Sequence, residues 1–135
     1  MQLITWNDTM SVKIAEIDKQ HQTLVNMIND LHEAMKSGQA KTIMGKLLED
    51  LSNYTVTHFS YEEMLFEKFS YPMSATHKNE HIMFLTKVAG FKAKFESGSV
   101  SLSLEIMDFL KNWLLNHIEG TDKQYSAFLN KNGVV

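Results

Sequence analysis

The chain contains no cysteine. That excludes disulfides, thiolate zinc sites and iron–sulfur clusters of the usual kind. It has one proline and six glycines in 135 residues, so helix breakers are scarce. No apolar run approaches the roughly 20 residues that a membrane-spanning helix needs. The opening Met-Gln-Leu-Ile-Thr-Trp has neither the basic nor the apolar region of a signal peptide. A cytoplasmic protein without membrane insertion is the expectation. An excess of positive charge is missing too. The net charge is −3, which argues against nucleic acid as a partner.

The length suits one domain, residues 1–135, and the 44% of apolar residues suffices for a core. Residues 1–17 read as an irregular arm, with Trp6, Val12, Ile14 and Ile17 as apolar points that lie across the rest. Asp18 is the expected N-cap of a first helix. Behind it His21, Leu24, Ile28, Leu31 and Met35 recur at helical steps, up to Ser37-Gly38. A second helix is expected from about Lys41 to Phe69. Phe69-Ser-Tyr-Pro72 then turns the chain into a third, closed by Gly98. A fourth begins near Ser101 and is interrupted by Gly120, and Asp122 to Asn130 forms a short last helix. The expected fold is all-α. It is an up-down-up-down antiparallel four-helix bundle over residues 18–130, with the irregular arm before it and the short C-terminal helix after the fourth.

Two pairs carry the chemistry. His58 and Glu62, and His77 and His81, are each four residues apart. On a helix that spacing puts both members on one face. His21 near the start of the first helix and His117 at the end of the fourth fall at the same end of such a bundle, and Asp122 can reach back to them. His32 does not and reads as an ordinary helix residue. A single histidine on an apolar face is usually a satisfied core residue. Five at one level, with two buried carboxylates, leave unpaired charge that costs several kcal/mol per group unless a metal is bound. Nitrogen and carboxylate donors without sulfur suit iron, zinc or manganese. Leu24, Phe59, Trp113, Leu114 and Ile118 stand close to these histidines in sequence and are expected to line a dry pocket. His77-Lys-Asn-Glu80-His81 also matches the inverted zinc-protease motif, with Glu80 as general base. That alternative leaves the other donors idle and needs a cleft that a small bundle scarcely offers. In the bundle, Glu80 is expected in solvent.

These residues together resemble the hemerythrin family, in its bacterial single-domain branch. The resemblance rests on Thr5-Trp6, Ile17-Asp-Lys-Gln-His21, His58-x-x-x-Glu62, Tyr71-Pro72, His77-x-x-x-His81 and Trp113-Leu-x-x-His117-Ile-x-x-x-Asp122-Lys123. One departure is Lys13, where bacterial relatives often carry glycine after the valine. The resemblance implies an up-down bundle, as in myohemerythrin, around a non-haem centre of two iron ions. His77, His81 and His117 would hold one iron, His21 and His58 the other. Glu62 and Asp122 would bridge them together with an oxo or hydroxo group, and the second iron would keep a position open for dioxygen. The apolar residues named above would then form an oxygen pocket.

The expected function is reversible dioxygen binding for carriage, storage or delivery to an oxidase, by a monomer that is not an enzyme. Two other classes compete. One is a di-iron oxidase, peroxidase or nitric-oxide-handling enzyme. The other is an oxygen or redox sensor that acts through a partner.

Overall fold

The computed structural model describes residues 3–38, 41–97 and 104–135. Its helices are α1 (Ala15–Lys36), α2 (Lys41–Phe69), α3 (Ser74–Glu96), α4 (Leu104–Asn116) and α5 (Lys123–Lys131). A π-helical stretch, His117–Asp122, joins α4 to α5 without a break. Among the described residues there is no strand. Helix α1 packs on α2 and on α4, and α2 packs on α3. The four helices form the expected up-down bundle. None of the described helices is long and apolar enough to cross a membrane.

Each helix buries one stripe. In α1 it runs Ile17, His21, Leu24, Ile28 and Leu31. In α3 it runs His77, His81, Phe84, Val88 and Phe95. The apolar members form two clusters. The larger fills the bundle and includes Leu24, Ile28, Leu51, Phe59, Phe84, Val88, Leu110 and Leu114. The smaller is made by Val12, Ile14, Ile17, Leu65, Phe66, Tyr71, Tyr125 and Leu129. Fully burying a side chain of this size stabilises by about 1.5–3 kcal/mol.

The turn between α2 and α3 is a Schellman motif. Ser70 takes φ 54° in the left-handed region. The Ser70 and Tyr71 amides donate to the carbonyls of Glu67 (3.4 Å) and Phe66 (2.9 Å). The Tyr71 and Phe66 rings meet at 5.0 Å, the apolar contact that accompanies this ending. Pro72 then prevents α2 from resuming.

Three local expectations are corrected. Asp18 is not an N-cap. It lies inside α1, whose cap is Ile14 without a side-chain bond. Its carboxylate instead accepts from the Val12 amide (2.8 Å) and the Ser11 hydroxyl (2.6 Å), which ties the arm to the first helical turn. Gly120 does not interrupt the fourth helix, because the chain passes through it in the π stretch. The arm is partly ordered as a short turn at Asp8–Met10. Gly98 and Ser101, expected to bound the third and fourth helices, lie outside the described residues. The arm crosses the bundle with Ile4, Met10, Val12 and Ile14 buried. Asn29 of α1 clamps it, accepting from the Ile4 amide (2.9 Å) and donating to the Ile4 carbonyl (2.8 Å).

Candidate metal centre

The donors stand between the two apolar clusters. Helix α1 carries His21, α2 carries His58 and Glu62, α3 carries His77 and His81, and the π stretch carries His117 and Asp122. All seven are buried, at 0–3% exposure. His32 is half-buried on α1 and belongs to neither group of donors.

The π stretch explains how His117 and Asp122 share a face. In an α-helix, residues five apart point about 140° away from each other. Hydrogen bonding to the fifth residue widens the turn and brings them together. Asp122 then presents its two oxygens to two sets of rings. Oδ1 lies 2.8 Å from His77 Nε2 and 3.0 Å from His117 Nε2. Oδ2 lies 3.1 Å from His21 Nε2. Glu62 Oε1 lies 3.1 Å from His81 Nε2 and 3.5 Å from His58 Nε2. The donors fall into two overlapping groups, each within 4.8 Å: Glu62, His77, His81, His117 and Asp122, and His21, His58, Glu62 and Asp122. Both carboxylates belong to both groups.

Three histidines are held from behind by residues to which the sequence reading gave no such part. Gln20 Oε1 accepts from His58 Nδ1 at 2.6 Å. Glu63 Oε2 accepts from His81 Nδ1 at 2.9 Å, and Glu80 Oε1 from His117 Nδ1 at 3.2 Å. Glu80 also accepts from the Thr121 hydroxyl at 2.9 and 3.1 Å. It is half-buried and engaged, which corrects the expectation of a solvated side chain. Each of the three stands next in sequence to one donor but serves a donor on the following helix. One residue turns a helix by about 100°, enough to aim the neighbour across the seam. That adjacency was the available signal. Tyr125, also missed, donates its hydroxyl to Glu62 Oε2 at 2.5 Å from a fully buried position.

The inward atoms fit a metal. Nε2 of His21, His58, His77, His81 and His117 is a buried atom without a hydrogen-bond partner, and Glu62 Oε1 and both Asp122 oxygens share that condition. Such groups are costly in a dry interior. Yet several lie about 3 Å apart without being aimed at one another. Neighbouring octahedral donors at roughly 2.1 Å from a common ion keep that spacing. With Nδ1–H donated outward, each backed ring turns its Nε2 lone pair inward.

Charge balance points the same way. Burial pushes His58 down to about 4, so it is neutral at ordinary pH and ready to donate its lone pair. Burial and Asp122 push Glu62 up, but His58, His81 and His21 outweigh them and hold it down at about 2. Burial also opposes charge on His117 and on Asp122, yet their mutual attraction prevails: His117 rises to about 9 and Asp122 falls well below the usual carboxylate range. Two anionic carboxylates in this cavity require positive charge. Burial and the nearby carboxylates keep Tyr125 a neutral phenol, able to donate.

Comparison with known proteins decides the family. Residues 12–129 match the family model described as "Hemerythrin HHE cation binding domain". The chain belongs to the hemerythrin family. Curated relatives named bacteriohemerythrin include one from Stenotrophomonas maltophilia, 37% identical over 93% of this chain and 81% of that protein. Another, from Methylococcus capsulatus, is 34% identical over 96% of this chain and 99% of that protein. A crystal structure of wild-type hemerythrin superposes with a TM-score of 0.88 at 33% identity, covering 93% of this chain and 96% of that one. A hemerythrin crystal structure with a leucine-to-alanine substitution gives 0.89 over 94% and 97%.

The chain also holds a cavity of about 10 Å³ that touches His21, His58, His117 and Asp122. Leu24, Phe59, Trp113, Leu114 and Ile118 all line it. The Phe59 ring stacks on His81 at 3.6 Å, and Trp113 stacks on His117 at 4.3 Å. The space is at the lower limit for a single water and is bounded mainly by apolar side chains.

Proposed function

We propose that this hemerythrin binds dioxygen reversibly at two non-haem iron ions, for carriage, storage or delivery to an oxidase. One observation supports it above the rest: two donor groups share two carboxylates beside a small apolar cavity. In this reading His77, His81 and His117 hold one iron and His21 and His58 the other, with Glu62 and Asp122 held in common. A pair of ferrous ions supplies the two electrons that reversible dioxygen binding draws on. The chain's own residues do the rest. The second group has two histidines against three and would leave room for a ligand; the cavity touches both of its histidines, and His117 of the other group. Leu24, Phe59, Trp113, Leu114 and Ile118 exclude water from that side. Tyr125 holds Glu62 in place and needs no charge to do so.

The donor balance favours binding over oxidation chemistry. Five neutral imidazoles and two carboxylates supply little anionic charge to stabilise highly oxidised iron. Carboxylate-rich di-iron sites, by contrast, draw a glutamate from each of several helices. Iron analysis of protein loaded anaerobically with iron(II) tests the ligand assignment. Two irons per chain are expected. One bound ion in wild type, or loading of two ions that survives loss of both His21 and His58, overturns it.

A further inference from the structure

The three backing residues are not equivalent. His81 and His117 donate Nδ1–H to carboxylates, Glu63 and Glu80. His58 donates to a carboxamide oxygen of Gln20. His21 has a buried Nδ1 with no hydrogen-bond partner. Among the described residues both carboxylate backings therefore fall on the three-histidine group. A carboxylate that accepts the outer N–H makes the ring a stronger donor through its inner nitrogen. An amide does so much less, because it carries no charge.

We propose that Glu63 and Glu80 are positioning residues that make the two halves of the centre unequal. The His77/His81/His117 half binds its ion first and more tightly, and the His21/His58 half, backed by Gln20, fills second. This rests on the two-ion reading above. It adds an order of loading and the residues that set it. Glu63 follows Glu62 on α2, and Glu80 also accepts from the Thr121 hydroxyl, which helps hold it in reach of its ring. Both remain partly exposed, at 32% and 36% of the side chain.

The test is anaerobic titration of the metal-free chain with iron(II), followed by calorimetry. Two ions that share two carboxylates repel, so two steps of unequal affinity do not by themselves decide. What decides is which step each variant moves. Glu63→Gln and Glu80→Gln keep an oxygen that accepts the N–H but remove its charge. Each is expected to weaken the first step by about 10–100-fold and leave the second nearly unchanged. Gln20→Glu puts a carboxylate behind His58 and is expected to tighten the second step alone. If the glutamines merely hold the rings in place, the Glu→Gln variants bind as wild type, and the proposal is overturned. It is equally overturned if Glu63→Gln moves the second step. Circular dichroism establishes that each variant is folded. Should either Glu→Gln variant fail to fold, Gln20→Glu still decides, since an unchanged second step contradicts the proposal. Binding of a single ion by wild type defeats the two-ion reading itself, whereas two ions with unmoved steps defeat only the order proposed here.

Discussion

At the scale of single residues, the seven donors serve a shared purpose, and their removal should not have equal effects. Glu62 belongs to both groups and is held by Tyr125. Glu62→Gln keeps the volume and removes one of the two charges common to both halves. The expected result is a protein still helical by circular dichroism that loses at least 10–100-fold in iron affinity, the scale set by residues one step further out. Leu114 makes no polar contact and lines the cavity. Leu114→Ala is expected to cost about 2–5 kcal/mol of stability and to leave room for water beside buried polar atoms. Oxygen should still bind, while the oxygenated band decays in air clearly faster than in wild type at the same pH. An unchanged decay rate in a folded, iron-loaded variant means that the barrier to water lies elsewhere along Leu24, Phe59 or Ile118.

Acidity separates the metal-free from the loaded state at the same residues. In the metal-free chain, burial works against the His117 charge but Asp122 outweighs it, and the ring is raised from 6.5 to about 9. A raised folded value contributes stability that is complete below 6.5 and lost as pH rises through about 9. His58 is lowered from 6.5 to about 4, chiefly by burial, so its unfavourable contribution grows as pH falls across that window. In the proposed loaded state a metal would replace the proton on His117. Melting temperature measured from pH 6.5 to 9 is therefore expected to fall in metal-free protein and to hold in loaded protein. Parallel curves for the two states would contradict this account of His117.

At the scale of elements, periodicity carried most of the information. The steps of three and four from His21 to Leu31, and again from His77 to Phe95, are the stripes that α1 and α3 bury. What periodicity does not carry is the exact manner in which helices begin and end. Asp18 looked like a cap because aspartate favours that place, but the arm offered it an amide and a hydroxyl to bind instead. The π stretch left only a faint trace, a donor pair at the non-helical spacing of five. Gln20 and Glu63 were passed over, and Glu80 was expected in solvent, because polar residues one step off a stripe usually face water. Backbone geometry also shows why glycine would suit the place of Lys13, named above as a departure from the family pattern. Lys13 sits at φ 60°, where a side chain is strained and glycine is not. Lys13→Gly is expected to stabilise the chain by about 1 kcal/mol, raising the melting temperature by roughly 3 °C. A lower melting temperature would show that contacts of the lysine outweigh the strain.

At the scale of the whole molecule, the bundle supplies two things at once. It brings four helices to one level so that donors far apart in sequence converge, and it closes apolar layers above and below them. The arm completes the enclosure. Asn29 holds it at Ile4, Ser126 donates to the Val12 carbonyl, and Thr9 donates to Glu119 beside the π stretch. Buried charge is tolerated here only because it is balanced within the enclosure, by protons in the metal-free chain and by metal in the proposed working state. The central claim is that this enclosed centre binds dioxygen and returns it unchanged. The most direct measurement is the visible spectrum of iron(II)-loaded protein exposed to air and then purged with argon. The account predicts an absorption band that appears with air, vanishes under argon and returns with air over repeated cycles, without added reductant. A band that persists under argon, or that vanishes only as the protein becomes permanently diferric, would contradict it.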